Sequence, residues 1–429
     1  MRKFFFAFLI FTSFNCFAQR HKSVVTDDIP NFWKAYDQII QTKDSTRQIE
    51  LINALYISKG SPGLQAIMQA RRYTAQSYVN AINKYPLFWG SIRNNTLKAD
   101  NYAKEIEKGI EKLKKVYPSL KPAKIYFTIG AFRTNGTTIA DKVLIGSELA
   151  MADKSIVTNE IEMDYPHLKS FFETSPISDL TFLNTHEYIH TQQKTTIGNS
   201  LLAQAVLEGA AEFVAEKALN MKSPNPQINF GQSMDDRLKS EFTKEMFTSD
   251  FRNWLWNSSD NKFGMRDLGY YIGYAICKNY YDASKIKKQA IEEMIELDYN
   301  NETELFKFVD RATYFEKPIS YYESLRPQVI SIKQFENGSQ TVHPNTTTIT
   351  IHFSQPMNVN TRGFEFGPLG EENVLMIQKV IGFSEDRKSF SFEVKMEPNK
   401  RYQSLVSKRF TDEAGIPLKP YLIDIKTAP

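Results

Sequence analysis

His186-Glu187-Tyr188-Ile189-His190 holds the residues of this chain whose types and spacing best suit chemistry. On a helix, positions four apart share a face, so both imidazoles can reach one metal ion. Glu187 is rotated off that face, which leaves its carboxylate free to hold a water and take its proton. Neutral imidazole nitrogens suit Zn2+, and a catalytic zinc needs one more protein ligand and an open position. The candidate third ligand is Glu208, in the run Leu207-Glu208-Gly209-Ala210-Ala211-Glu212-Phe213, with seventeen residues between it and His190. The bland alternative is a surface helix with two solvated histidines. It is disfavoured because the chain has only six histidines in 429 residues.

These residues need helices to carry them. The first is expected to begin near Ser178, whose hydroxyl can cap it, and to run to about Lys194. The second, Leu201 to Leu219, is rich in alanine, which favours helix and permits close approach. Glu208, Glu212 and Glu216 recur on one of its faces, and Glu216 reads as solvated. Gly269-Tyr270-Tyr271-Ile272-Gly273-Tyr274 opens a third helix, whose glycines allow it to pack closely against a neighbour. Tyr270 or Tyr274 could donate its hydroxyl proton to an oxyanion, although an aromatic helix face is more often core. Upstream, Asp27 to Leu120 is helical in pattern, with Ile106, Ile110, Leu113 and Val116 as a core-facing stripe. Residues 124–129 and 142–145 read as strands, and Thr134-Asn135-Gly136-Thr137-Thr138 between them as turn-like.

HEYIH followed by EGAAEF resembles the gluzincin metallopeptidases. It is also similar to a family of zinc-dependent proteases of bacterial envelopes that share HEYxH, EGxAE and a later GYxxGY segment. The resemblance spans roughly residues 30–320. It implies an α-rich α+β metallopeptidase domain, Zn2+ as cofactor, and His186, His190 and Glu208 as ligands. It further implies Glu187 as general base and Glu212 as acceptor of the distal N–H of His186 or His190. The substrate implied is a peptide or protein, laid along the edge of a small sheet at about 124–146. The Gly-x-Met-Glu-Asn motif of aminopeptidases is missing, so endo- and exopeptidase both stay open.

Residues 1–18 read as a cleaved signal peptide: Arg2 and Lys3, an apolar run Phe4 to Phe11, then Cys16-Phe17-Ala18 before Gln19. Ser13-Phe14-Asn15 is a poor lipobox for Cys16, so a secreted or periplasmic location is favoured over a lipoprotein. Cleavage would leave Cys277 as the one cysteine, with no intramolecular disulfide. It would also lower the formal net charge from +4 to +2 (4 − 2), which gives no support for nucleic-acid binding. No later run is long enough for a transmembrane segment, association with the envelope stays open, and a monomer is expected.

After Arg326-Pro327 short alternating strands follow turn signals such as Asn337-Gly338. Residues 327–429 resemble a bacterial Ig-like β-sandwich, through Phe353-Ser354-Gln355-Pro356-Met357 and Asp412-Glu413-Ala414-Gly415-Ile416-Pro417-Leu418. His343 and His352 there are read as structural. The chain is thus expected to comprise a gluzincin-like domain over 19–326 and an all-β domain over 327–429. The alternative function is a non-catalytic zinc-binding, adhesion or scaffold protein acting through the Ig-like domain.

Overall fold

The computed structural model describes residues 23–429, so the signal-peptide segment 1–18 lies outside the described residues. Two hydrophobic cores divide the chain. The larger runs from Val24 to Ile319 and the smaller from Val329 to Ile425.

The first core is helix-rich. Six α-helices fill Asp28–Val116, the last being Ala99–Val116, whose buried Ile106, Gly109 and Leu113 face inward. A four-stranded sheet follows, in the order Val24–Val25, Lys124–Thr128, Lys142–Gly146, Gly136–Ile139. Its central strands are parallel, and Gly136–Ile139 pairs antiparallel to Lys142–Gly146 as the outer strand. The turn-like reading of Thr134–Thr138 is corrected here. Threonine suits an extended edge, and pairing with Lys142–Gly146 outweighs the turn composition of Asn135-Gly136.

Helix Leu180–His190 crosses this sheet at Gly136–Ile139 and packs against Ala99–Val116 at Gly109. It starts two residues later than Ser178, because Pro176–Asp179 forms a 3-10 turn and Ser178 Oγ donates to Ser175 O instead of capping. It also ends at His190 instead of Lys194. There Thr191 Oγ1 donates to Tyr188 O at 2.7 Å and the chain turns Gln193 inward.

Helix Leu201–Leu219, capped by Ser200 accepting from Ala203 N, is buried along nearly its whole length. It crosses Leu268–Ala283 where Gly209 meets Gly273. A Cβ on Gly209 would lie 2.0 Å from the Gly273 carbonyl carbon, and one on Gly273 would lie 1.7 Å from Ala205 O. Backbone therefore touches backbone, which no other residue type permits.

Two antiparallel sheets enclose the second core. One orders Tyr421–Lys426, Arg401–Val406, Phe364–Phe366; the other orders Val329–Ile332, Thr348–Phe353, Ser389–Val394, Ile377–Phe383. The two cores meet at buried Arg326. Its guanidinium donates to Pro417 O and Leu418 O, each at 3.1 Å, and lies 5.3 Å from the Phe247 ring centre. Among the described residues no helix is long and apolar enough to cross a membrane.

Candidate metal centre

Three buried side chains converge between helices Leu180–His190 and Leu201–Leu219. His186 Nε2 lies 3.1 Å from His190 Nε2, and Glu208 Oε2 lies 3.5 Å and 3.2 Å from them. Bonds of 2.0–2.1 Å to a tetrahedral zinc imply ligand atoms about 3.3 Å apart, so this spacing fits such an ion. His186, His190 and Glu208 form the one group of this kind among the described residues.

The electrostatics agree with that fit. Burial disfavours a charged imidazole at His186, yet Glu208 and Glu212 outweigh it and push the group up to about 10. His190 is raised against the same burial by Glu208. Glu208 is itself driven far below the usual carboxylate range, its burial outweighed first by His190 and then by His186. A buried pocket whose carboxylates favour cationic charge in this way has the electrostatic character of a site that could hold a dication.

Each candidate ligand is held from behind. His186 Nδ1 is 3.1 Å from Glu212 Oε2, and neither atom has another partner. The other Glu212 oxygen accepts from Ser223 Oγ and, at 2.8 Å, from Asn225 Nδ2. His190 Nδ1 faces Gln193 Oε1 at 2.6 Å. Gln193 Nε2 donates to Leu207 O at 3.1 Å and to Tyr299 Oη at 3.0 Å, which fixes which end of the amide meets the imidazole. With hydrogen on Nδ1, both histidines would present Nε2 to an ion held between them. Glu208 Oε1 accepts from Gln204 Nε2 at 3.0 Å, and Gln204 is tied in turn to Gly198 N.

Glu187 faces the sheet. Thr138 Oγ1 lies 3.0 Å from Glu187 Oε2 and 2.8 Å from Glu187 O. A Cβ on Gly136 would come 3.1 Å from Glu187 Oε1, so glycine leaves the carboxylate its room. Gly146 N donates to Asn135 O, and the Ala140-Asp141 turn pairs Ile139 with Lys142. Alternation along an antiparallel ladder then turns the main-chain groups of Gly136 and Thr138 to the open edge. Those of Gly136 are engaged there, its N–H donating to Asn135 Oδ1 at 3.0 Å and its oxygen accepting from the Thr134 hydroxyl at 2.5 Å, which leaves Thr138.

The tyrosines separate. Tyr270 stacks on His186, with ring centres 6.1 Å apart and planes at 27°, and burial together with Glu208 holds its phenol well above its ordinary value. The Tyr274 hydroxyl points elsewhere and donates to both oxygens of Glu216 at 3.1 Å. Glu216, expected to be solvated, also accepts from Ser223 N. Spacing gave no sign of Thr138, Gln193, Gln204, Ser223, Asn225 or Tyr299. Gln193 alone had a local cue, three residues beyond His190.

A family model described as "Predicted Zn-dependent protease" matches residues 134–301, which include all three candidate ligands, Glu187 and Tyr270. A search of curated proteins gave no match. Among solved structures, the N-terminal part of the bacterial S-layer protein SbsC aligns at 13% identity over 93% of this chain and 69% of that one, with a TM-score of 0.18. The S-layer protein rSbsC(31-844) aligns at 12% identity over 94% and 45%, with a TM-score of 0.19. This chain spans under half of that longer one, and likenesses this weak say nothing of fold or function.

Proposed function

We propose that this chain is a secreted or periplasmic zinc metallopeptidase with a gluzincin-like site and a C-terminal Ig-like domain. The observation that carries the reading is the buried convergence of His186, His190 and Glu208 at zinc-ligand spacing, with Glu187 beside it and aimed by Thr138. His186, His190 and Glu208 would hold zinc, which would supply Lewis acidity toward a water and a carbonyl. Glu187 takes the proton from the attacking water and returns it to the leaving amine. Tyr270 is the better placed donor to the developing oxyanion, since the hydroxyl of Tyr274 is engaged by Glu216. The open edge at Thr138 offers main-chain groups to an extended peptide, a mode that does not depend on side-chain identity.

Cleavage mapping of a broad peptide pool by mass spectrometry tests this reading, comparing the zinc-loaded protein with its Glu187→Gln twin. The amide keeps size and hydrogen bonding and removes the base. Zinc content is expected to be unchanged and turnover to fall by about two to four orders of magnitude. Equal cleavage by both proteins would refute the assignment of Glu187. No cleavage by either, with zinc bound, would turn the reading to a non-peptidase zinc protein.

A further inference from the structure

Two guanidiniums without acidic partners stand where the open strand begins. Arg71 ends the helix Pro62–Arg71, and its Nη2 lies 3.5 Å from Thr134 Oγ1. That hydroxyl donates to Gly136 O at 2.5 Å, and Gly136 is the residue packed against the Glu187 carboxylate. Arg133 reaches back over the Tyr73 ring at 5.3 Å and donates to Arg72 O at 2.9 Å and to Arg71 O. Arginines elsewhere, such as Arg93, Arg252, Arg387 and Arg401, sit on carboxylates. Among the described residues, no carboxylate is paired with Arg71 or Arg133. Arg71 Nε is moreover buried with no hydrogen-bond partner.

A buried, unsatisfied donor on a charged group is costly, and two like charges tied to the same stretch of backbone add to that cost. An anion with two acceptor oxygens would offset the positive charge and could satisfy the unpaired donor, because a guanidinium fork matches a carboxylate. We propose that Arg71 and Arg133 form a carboxylate subsite of the peptidase, an inference that rests on the peptidase reading above. Thr134 lies in the bend just before the strand Gly136–Ile139 and its hydroxyl reaches Gly136 O, so the anion belongs within about two residues of the cut. A peptide can supply it as its terminal carboxylate or as an Asp or Glu side chain.

The experiment uses full-length zinc-loaded protein and peptides, chosen from the cleavage map, that differ in one group. One arm compares a free C-terminus with its amide, and the other compares Glu with Gln at each position within two residues of the cut. The native protein is expected to favour the anionic member by about 10- to 100-fold in kcat/KM in one arm, which identifies the source. Arg71→Met and Arg133→Met are each expected to shrink that ratio toward one. The Arg133 side chain is exposed, so its replacement carries little folding risk. A native ratio near one, with cleavage still dependent on Glu187, overturns the subsite and leaves the peptidase standing. A ratio undiminished in both variants overturns it as well. Cleavage that does not depend on Glu187 removes both proposals together.

Discussion

The two flanks of the candidate metal centre are built on opposite physical terms. On one, Leu201–Leu219 is buried nearly throughout and meets Leu268–Ala283 backbone to backbone at Gly209 and Gly273. On the other, Gly136–Ile139 is an outer strand paired on one side only. The candidate ligand Glu208 and its outer neighbour Glu212 stand on the packed flank, whereas the partner of Glu187 stands on the open one. A metal tolerates little displacement of its ligands, while a substrate must come and go. On the proposed reading, the division puts rigidity where coordination would need it and an open strand edge where a chain would dock.

The sharpest way to break this contrast is one methyl group. Gly273→Ala puts a Cβ against Ala205 O, so the crossing must open or the fold must yield. The expected cost is about 3 kcal/mol or more, far above the ~1 kcal/mol gained in helix propensity. Gly90→Ala is the control. It lies in helix Pro86–Thr96 with no atom within 4 Å of the added carbon, and should stabilise by up to about 1 kcal/mol. Urea denaturation midpoints moving in opposite directions would support the crossing as a tight contact. Equal shifts would show that it gives way easily.

The open flank has its own sensitivity, to pH. Buried Glu148 accepts from Gly130 N at 2.8 Å and Phe132 N at 3.1 Å, holding the loop that leads into Gly136–Ile139. Burial pushes it from 4.5 to about 7, against the pull of those backbone donors. Because the folded pKa exceeds the unfolded one, the folded state binds the extra proton between these values. The stability this group contributes is therefore fully present below about pH 4.5 and is lost as pH rises through 7. A shift of 2.5 (7 − 4.5) corresponds to on the order of 3 kcal/mol. Stability measured from pH 4.5 to 8 should thus fall more steeply in the native protein than in Glu148→Gln. Parallel curves would remove Glu148 as the cause.

The same contrast governs what could be read from sequence. His186, Glu187 and His190 lie within one helical turn, so spacing alone places them on the helix Leu180–His190. Leu201–Leu219 was legible to its ends from its alanine content, because helix propensity acts locally. Gly136–Ile139 was not, because its composition favours a turn and only pairing with Lys142–Gly146 makes it a strand. Thr138 meets Glu187 across 49 residues and Gln193 meets Tyr299 across 106, contacts that no local pattern encodes. Local chemistry announced the candidate ligands, whereas the groups packed behind them had to be seen in the fold.

Those backing groups give the smallest and most discriminating prediction. His186 is backed by the carboxylate of Glu212, His190 by the neutral amide of Gln193. A carboxylate makes an imidazole a stronger donor to a cation than an amide does, and removing such partners typically costs 10- to 100-fold in metal affinity. Glu212→Gln keeps an acceptor for Nδ1 but removes the charge, and should weaken zinc binding toward the upper end, about 100-fold. Gln193→Leu leaves His190 Nδ1 without its acceptor but changes no charge, and should weaken binding by about 10-fold. Chelator competition at fixed pH measures both. If the two losses are equal, orientation of the imidazole is what these partners provide. If Glu212→Gln loses clearly more, the packed flank also supplies charge, and the anchoring of Glu212 by Ser223 and Asn225 becomes part of how tightly the site holds its ion.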